Sequence, residues 1–218
     1  MMQKYNCRQN SLVTNDTLKK KTIFGFYFKM KPIDRKTEII NIAAKLFKEK
    51  GYSAVTMRDI AQALDIKAAS LYNHINSKQE ILVLIIIKIA EEFCFTIDKI
   101  LATDDSTIKK IEKVIELHID ITIRNSDALA CLNNDWMHLT DEDLVYFVKM
   151  REDYEECFRT IIKNGIANNE VKNINLEVIV FSTLSTLRTL YVWYGKKKSP
   201  NTSILKSNMI EVLLNGIV

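Results

Sequence analysis

Proline and glycine are scarce in this chain: its 218 residues include two prolines and five glycines. Both residue types interrupt regular structure, and the prolines, Pro32 and Pro200, lie outside the segments with periodic hydrophobicity. Strand-like alternation of apolar and polar residues is hard to find after residue 30. We therefore predict an all-α protein.

Cysteine is also sparse, and its four positions, Cys7, Cys94, Cys131 and Cys157, are widely separated with no C-x-x-C motif. That distribution excludes a small disulfide scaffold and favours a reducing, cytoplasmic compartment. The one apolar run that suggests a membrane, residues 81–87, is far too short to span a bilayer, so we expect no membrane segment.

Patterns of catalytic chemistry are missing from the chain. The three histidines, His74, His118 and His138, lie far apart without metal-ligand spacing, and no G-x-S-x-G motif or glycine-rich phosphate loop occurs. We therefore expect no enzyme activity, no catalytic residues, no metal site and no cofactor.

Charge is unevenly distributed along the chain. The formal net charge of +4 divides into +6 over residues 1–31, +2 over residues 32–80 and −4 over residues 81–218. A basic front and an acidic back suit a protein whose N-terminal part meets nucleic acid, although so mild a charge does not establish DNA binding alone.

Residues 56–82 carry the strongest functional pattern. Thr56 is a predicted N-cap for a helix over residues 57–64, and a turn at residues 65–66 separates it from a short helix over residues 67–74. A predicted capping box at residues 77–80 then opens a long apolar helix.

The two faces of the short helix differ in character. Ile66, Leu71 and Ile75 form its predicted inner side, whereas small and polar residues occupy its outer side. A helix, a short turn and a second helix whose outward residues are small and polar form the pattern of a helix-turn-helix DNA-binding motif.

Residues 35–82 resemble the DNA-binding domain of the TetR/AcrR family of bacterial transcriptional regulators. The resemblance rests on IINIAAKLFKEKGYSAVTMRDIAQAL, on ASLY at residues 69–72 and on SKQEIL at residues 77–82. The chain departs from the family pattern at Asp65, where the family usually has glycine, and at Ile75, where it usually has phenylalanine.

The resemblance implies ten DNA-contacting residues: Thr56, Arg58, Lys67, Ala68, Ala69, Ser70, Tyr72, Asn73, His74 and Lys78. Thr56 and Arg58, at the start of the helix over residues 57–64, would contact phosphates together with Lys78. Lys67 and Asn73 would reach base edges, and the small residues would let the helix enter the major groove. The alternatives are partial burial of Tyr72 against the helix predicted over residues 34–50 and a solvent-exposed His74.

From Met30 the chain reads MKPIDRKTEIINIAAKLF. Many chains of the family begin with a sequence of this kind. For residues 1–29 we therefore expect a disordered extension or a misassigned start codon. A basic arm that reaches DNA is the alternative.

Hydrophobic periodicity and capping signals predict further helices over residues 34–50, 78–101, 108–124, 142–167, 176–194 and 204–214, with a less regular piece over residues 126–138. We predict a three-helix helix-turn-helix DNA-binding domain over residues 30–80. A six-helix ligand-binding and dimerisation domain would follow over residues 81–218.

Residues 176–194 are apolar on most sides, and a helix of that kind must be buried on most sides. We expect the last two helices to form a homodimer, and the resemblance implies the same contact. A twofold dimer would require a near-palindromic double-stranded DNA operator.

Aromatic and apolar side chains of the acidic domain are candidates for a ligand pocket: Phe93, Trp136, Met137, His138, Tyr154, Phe158 and Phe181. Plain core packing is the alternative for each of them. The tail YVWYG at residues 191–195 is similar to that of family members that respond to acyl-CoA esters, while drug-like cations and other apolar molecules remain open.

These patterns together predict a ligand-responsive, DNA-binding transcriptional regulator. A repressor released by an apolar small molecule is the favoured form, although an activator would show the same residues. The alternative function is a helical protein-interaction adaptor that does not bind DNA.

Overall fold

The computed structural model describes residues 34–196 and 201–217, and its regular elements are all helical. The α-helices are α1 (Arg35–Lys50), α2 (Met57–Ala63), α3 (Ala68–Tyr72), α4 (Lys78–Leu101), α5 (Thr107–Asn134), α6 (Asp141–Ala167), α7 (Leu176–Tyr194) and α8 (Thr202–Leu214). A single 3-10 turn, Trp136–His138, lies between α5 and α6. The predicted all-α class is confirmed, and the predicted extension over residues 1–29 lies outside the described residues.

Local sequence signals account for most helix ends. Gly51 ends α1 at φ +83°, a left-handed conformation that favours glycine. The Asn175 side chain accepts hydrogen bonds from Glu177 N and Val178 N at the start of α7. Thr140 precedes α6, but its side chain makes no cap hydrogen bond there.

α1, α2 and α3 enclose a small core beside the start of α4. The core side chains are at most 1% exposed: Ile39, Phe47, Ile60, Leu71 and Ile75. Isoleucine at position 75 thus fills the apolar position where the family usually has phenylalanine. This core fixes one side of α3, so its opposite side must face outward.

α5 is the central helix of the C-terminal part, where it contacts α1, α4, α6, α7 and α8. It bends at Asn125, whose φ and ψ are −139° and 40°. The bend divides α5 into two segments, which together with α4, α6, α7 and α8 make six helical segments. The prediction of a less regular segment over residues 126–138 is wrong for residues 126–134, which are helical. The burial of Leu129, Ala130 and Cys131 stabilises the helix there.

α4 belongs to both parts of the molecule. It begins at Lys78 beside α1 and then runs between α5 and α6. The domain boundary predicted after residue 80 therefore falls within one continuous helix and stays a prediction. None of the helices in the described ranges is long and apolar enough to cross a membrane.

The outer face of α7 is uncharged along most of its length. Val178, Phe181, Val192 and Trp193 are 44–73% exposed, and the exposed positions between them are serine or threonine. Ile204 and Val212 of α8 are also exposed, at 58% and 71%. The last two helices thus present apolar side chains that the described residues leave uncovered.

Candidate functional site

α2, a four-residue turn and α3 form a helix-turn-helix. Asp65 takes the left-handed conformation in the turn, with φ +53°, where family members usually have glycine. Aspartate adopts this region at lower cost than most residues. Ile66 N, next in the chain, donates to Ala61 O at 3.0 Å and closes the turn.

α3 presents polar and small side chains to the outside. Lys67, Ala69, Ser70, Asn73 and His74 are exposed on or beside this five-residue helix. Such a surface can enter a groove without large apolar anchors in the way.

Two of the α3 residues expected to contact DNA, Tyr72 and Ala68, differ in exposure. Tyr72 is 52% exposed, so its ring is available on the outer surface. Ala68 is half-buried and packs against the core, which places it at the edge of the outer face.

The start of α2 is held by a reciprocal capping box. Asp59 N donates to Thr56 Oγ1 at 3.2 Å, and Thr56 N donates to Asp59 Oδ2 at 2.7 Å. The same threonine hydroxyl donates to the carboxylate at 2.6 Å, and these hydrogen bonds lower the pKa of Asp59. Arg58, on the same helical turn, is exposed.

Lys78 has a structural role that the sequence did not reveal. Its ammonium donates to the carbonyls of Tyr52 and Val55, at 2.9 and 2.8 Å, and lies 4.2 Å from the centre of the Tyr52 ring. The charge expected at a DNA phosphate is therefore used to hold the loop between α1 and α2.

The same loop joins the helix-turn-helix to the C-terminal part. The Tyr52 ring stacks on His138 with centroids 5.1 Å apart, and Tyr52 OH donates to Gln79 Oε1 at 2.8 Å. Gln79 Nε2 in turn donates to His138 O at 3.0 Å. Lys48 of α1 makes a 2.7 Å ion pair with Asp127 of α5 close by.

A cavity of about 160 Å³ lies among α4, α5, α6 and α7. Its apolar lining consists of Ala90, Phe93, Leu129, Leu132, Trp136, Phe147, Met150 and Leu187. The other lining residues are Cys94, His118, Asn133, Arg151, Tyr154 and Arg188. We call this space the central cavity.

Three of the seven pocket candidates, Phe93, Trp136 and Tyr154, line the central cavity. The remaining four do not. Phe158 is fully buried in the core and Phe181 is 73% exposed on the outer face of α7. Met137 is 62% exposed, and His138 lies in the contact with Tyr52. These four residues therefore lie outside the lining of the central cavity.

His118 and Tyr154 form a buried polar pair in the cavity wall. His118 Nε2 lies 2.8 Å from Tyr154 OH, and each residue is 5% exposed. The Phe93 ring packs on both, with centroids 4.6 Å from His118 and 5.6 Å from Tyr154. Burial, together with the nearby Arg188 charge, lowers the pKa of His118 to about 3, so its ring is neutral at pH 7.

Two arginines bring positive charge to the same cavity. Arg188 donates one hydrogen bond to Glu155, at 3.2 Å, while Arg151 lies 4.7 Å from the centre of the Trp136 ring. Sequence reasoning missed His118, Arg151 and Arg188. Their positions within long helices gave no motif, and only the packing of four helices brings them together.

In the described part of the chain, no group of three His, Cys, Asp or Glu residues is arranged to hold a metal ion.

Comparison with known families identifies both parts of the molecule. Residues 39–85 match the model described as bacterial regulatory proteins, tetR family. Residues 104–217, more than half of the chain, match the tetracyclin repressor-like C-terminal domain.

Individual relatives extend over nearly the whole chain. The HTH-type transcriptional repressor KstR2 of Rhodococcus jostii is 24% identical over 185 residues, covering 84% of this chain and 91% of the relative. The TetR family regulator PfmR of Thermus thermophilus superposes with a TM-score of 0.72 at 26% identity, covering 84% of this chain and 98% of PfmR.

A further solved structure, AibR in complex with isovaleryl coenzyme A and operator DNA, has a TM-score of 0.71 at 19% identity, with coverages of 83% and 98%. At that identity the likeness shows the fold alone. The two family matches carry the assignment: the chain is a member of the TetR family of bacterial DNA-binding transcriptional regulators.

Proposed function

We propose that this chain is a transcriptional repressor that binds a near-palindromic operator as a homodimer and leaves it when a small molecule occupies the central cavity. The observation that carries the proposal is the outward face of α3. Its buried side, centred on Leu71, anchors the helix while Lys67, Ser70 and Asn73 stay exposed. This arrangement presents hydrogen-bonding groups to a duplex groove.

Contacts to the DNA backbone would come from the start of α2 and from the ends of α3. Arg58 is exposed there and can meet a phosphate, and Thr56 orders the helix end through its capping box. Tyr72 and His74 are exposed next to the reading face. These groups would set the register of the protein on the duplex, whereas Lys67 and Asn73 would read bases.

Dimerisation would cover the exposed apolar side chains of α7 and α8. Phe181 and Val212 are 73% and 71% exposed, and the α7 face between its apolar residues carries hydroxyls rather than charges. Exposed apolar surface of this kind, on the last two helices, which both pack on α5, suits a self-complementary twofold contact. The twofold axis would place two copies of α3 on one face of the DNA.

Communication between cavity and DNA would pass through the end of α5 and the 3-10 turn. Leu129, Asn133 and Trp136 line the cavity, and Asp127 and His138 of the same stretch hold α1 and the loop after it. A ligand that shifts this stretch would change the angle of the DNA-binding part. Release requires that the ligand bind the non-binding arrangement more tightly by several kcal/mol.

The inducer would have an apolar part small enough for the central cavity. The AibR structure contains isovaleryl coenzyme A, which makes short acyl-CoA esters one candidate class for this chain as well. Only the acyl part would enter a cavity of about 160 Å³.

Selection of bound sequences from a random DNA pool tests the proposal. We expect a near-palindrome whose half-sites are spaced by one helical turn or more. A variant in which Lys67 and Asn73 are both alanine is the control, and it should enrich no palindrome. Failure of the natural protein to enrich any sequence at low salt would overturn the proposal in favour of the adaptor function, in which α3 contacts a protein.

A further inference from the structure

We infer that the central cavity takes a small apolar carboxylate, with a body about the size of a benzene ring. The inference rests on the proposed function in taking this cavity as the ligand site. It goes further in assigning the charge, the hydrogen-bonding group and the size of the ligand.

The size follows from the cavity volume. An apolar cavity of roughly 150 Å³ accommodates benzene, and the central cavity measures about 160 Å³. Drug-sized ligands generally occupy pockets of roughly 300–1,000 Å³. A single ring or a short branched chain therefore fills the apolar part formed by residues such as Phe93, Leu132 and Phe147.

The sign of the charge follows from the polar lining. His118, Asn133, Arg151, Tyr154 and Arg188 line the cavity, and no aspartate or glutamate does. Glu155, which bonds Arg188, lies outside the lining and uses one of the five N–H donors of that guanidinium. The remaining donors and the Arg151 charge favour an anionic group over a neutral or cationic one.

The buried pair supplies a further hydrogen-bond donor. A neutral imidazole has one N–H and a tyrosine has one O–H, and the 2.8 Å contact between His118 Nε2 and Tyr154 OH uses one of these two protons. If tyrosine donates, His118 keeps an Nδ1–H; if His118 donates, tyrosine keeps its O–H. Either arrangement leaves one donor.

When Tyr154 donates to Nε2, the free donor is His118 Nδ1–H, and it has no partner in the described part of the protein. His118 Nδ1 makes no hydrogen bond with the described residues. Every side-chain nitrogen or oxygen that is fully buried among those residues has a hydrogen-bond partner. Nδ1 is therefore not fully buried and borders open space. His118 lines the central cavity, so a ligand in that cavity would lie within reach of this residue. A carboxylate oxygen, which accepts hydrogen bonds from both Arg188 and the pair, satisfies this requirement.

Isothermal titration of the full chain with matched probes tests the inference. Benzoate, hexanoate and 4-methylpentanoate are the carboxylates, their primary amides are the neutral controls of equal shape, and benzylamine is the cation. Each carboxylate should bind at least about tenfold more tightly than its amide, because charge-assisted hydrogen bonds are stronger than neutral ones. Cholate, a carboxylate with a steroid body, should not bind.

Variants locate the binding in this cavity. Arg188→Gln should reduce the carboxylate-to-amide preference to nearly one, and Arg188→Lys should retain part of it. Tyr154→Phe keeps the ring and should weaken benzoate several-fold. Arg124→Gln removes the same charge from α5 outside the cavity lining and should change nothing. Thermal melting shows which variants fold.

Equal affinities for carboxylates and amides would overturn the inference, and so would tight binding of cholate. Binding of benzoyl-CoA without binding of benzoate would also overturn it, while leaving the proposed acyl-CoA response intact. Binding of benzoate by a protein that selects no DNA would instead remove the proposed function and keep the cavity assignment.

Discussion

Tyr52 and His138 stack face to face across the junction of the two parts of the molecule, with ring centroids 5.1 Å apart and planes inclined by 30°. The tyrosine belongs to the loop that precedes α2, and the histidine ends the 3-10 turn that begins at Trp136 in the cavity wall. A single residue, Met137, thus lies between a side chain that lines the cavity and one that touches the DNA-binding part.

His138→Ala should weaken this junction. Loss of an aromatic pair costs about 1 kcal/mol, so the free energy of unfolding should fall by about that amount in urea denaturation. Benzoate affinity should stay unchanged, because His138 does not line the cavity. The neighbouring Met137→Ala, at a side chain that is 62% exposed, is the control and should leave stability unaltered. Equal effects of the two changes would argue against the junction.

Lys78→Ala and Arg58→Ala should act in different ways. Lys78 donates to two loop carbonyls, so its loss should lower the free energy of unfolding by about 1–3 kcal/mol. Arg58 is exposed, and its loss should leave stability alone but flatten the salt dependence of DNA binding by roughly one unit of slope per subunit. Denaturation and DNA titrations over a salt series measure both. An unchanged slope for Arg58→Ala would exclude its phosphate contact.

Asn73→Ala should relax sequence preference. Loss of a bidentate base contact costs about 1–3 kcal/mol of discrimination at one or two base pairs. Competition titrations with operator variants and random DNA measure the effect once an operator is selected. A fall in affinity for specific and random DNA alike would show that Asn73 contacts the backbone instead.

Val212→Glu should disrupt the dimer, because it places a charge in the apolar face of α8. Val145→Glu on α6 is the matched control, since the two valines are 71% and 70% exposed. Sedimentation analysis should show a monomer for the first variant and a dimer for the second. A dimer in both would place the interface elsewhere.

Acid should destabilise the protein through His118. Burial and the Arg188 charge lower the pKa of His118 to about 3 in the native state. Between about pH 6.5 and 3, the unfolded chain therefore binds a proton that the native state does not bind. The stabilisation is complete above pH 6.5 and is lost as pH falls from about 6.5 to 3, by up to about 1.4 kcal/mol per pH unit. His118→Gln should remove this dependence, which urea denaturation at several pH values measures. Parallel curves for the two proteins would contradict it.

Helix existence and the outward face of α3 were predictable from sequence because both depend on local signals. The predicted bounds of α7, residues 176–194, agree with the structure, since Asn175 caps one end and Gly195 ends the other. The exposure of Ser70 and Asn73 likewise follows from the opposite placement of Leu71 and Ile75.

The cavity was only partly predictable because it depends on which helices meet. Phe93, Phe158 and Phe181 look alike in sequence, yet they lie in the cavity wall, in the core and on the outer surface respectively. Helix rotation decides among these places, and rotation is set by packing partners far away in the chain. The contacts of Lys78 with the loop were unpredictable for the same reason, because its acceptors precede it by 23 and 26 residues.

Cys131 lies where α5 meets α1, and its thiol donates to the Ala44 carbonyl at 3.6 Å. Burial, with Asp135 nearby, raises the pKa of this thiol to about 12, so almost no thiolate exists at neutral pH. Thiolate is the form that alkylating reagents attack. If the DNA-binding part moved away from α5, water would reach the sulfur and the pKa of the thiol would fall. The rate at which Cys131 is alkylated would therefore report how often this contact opens.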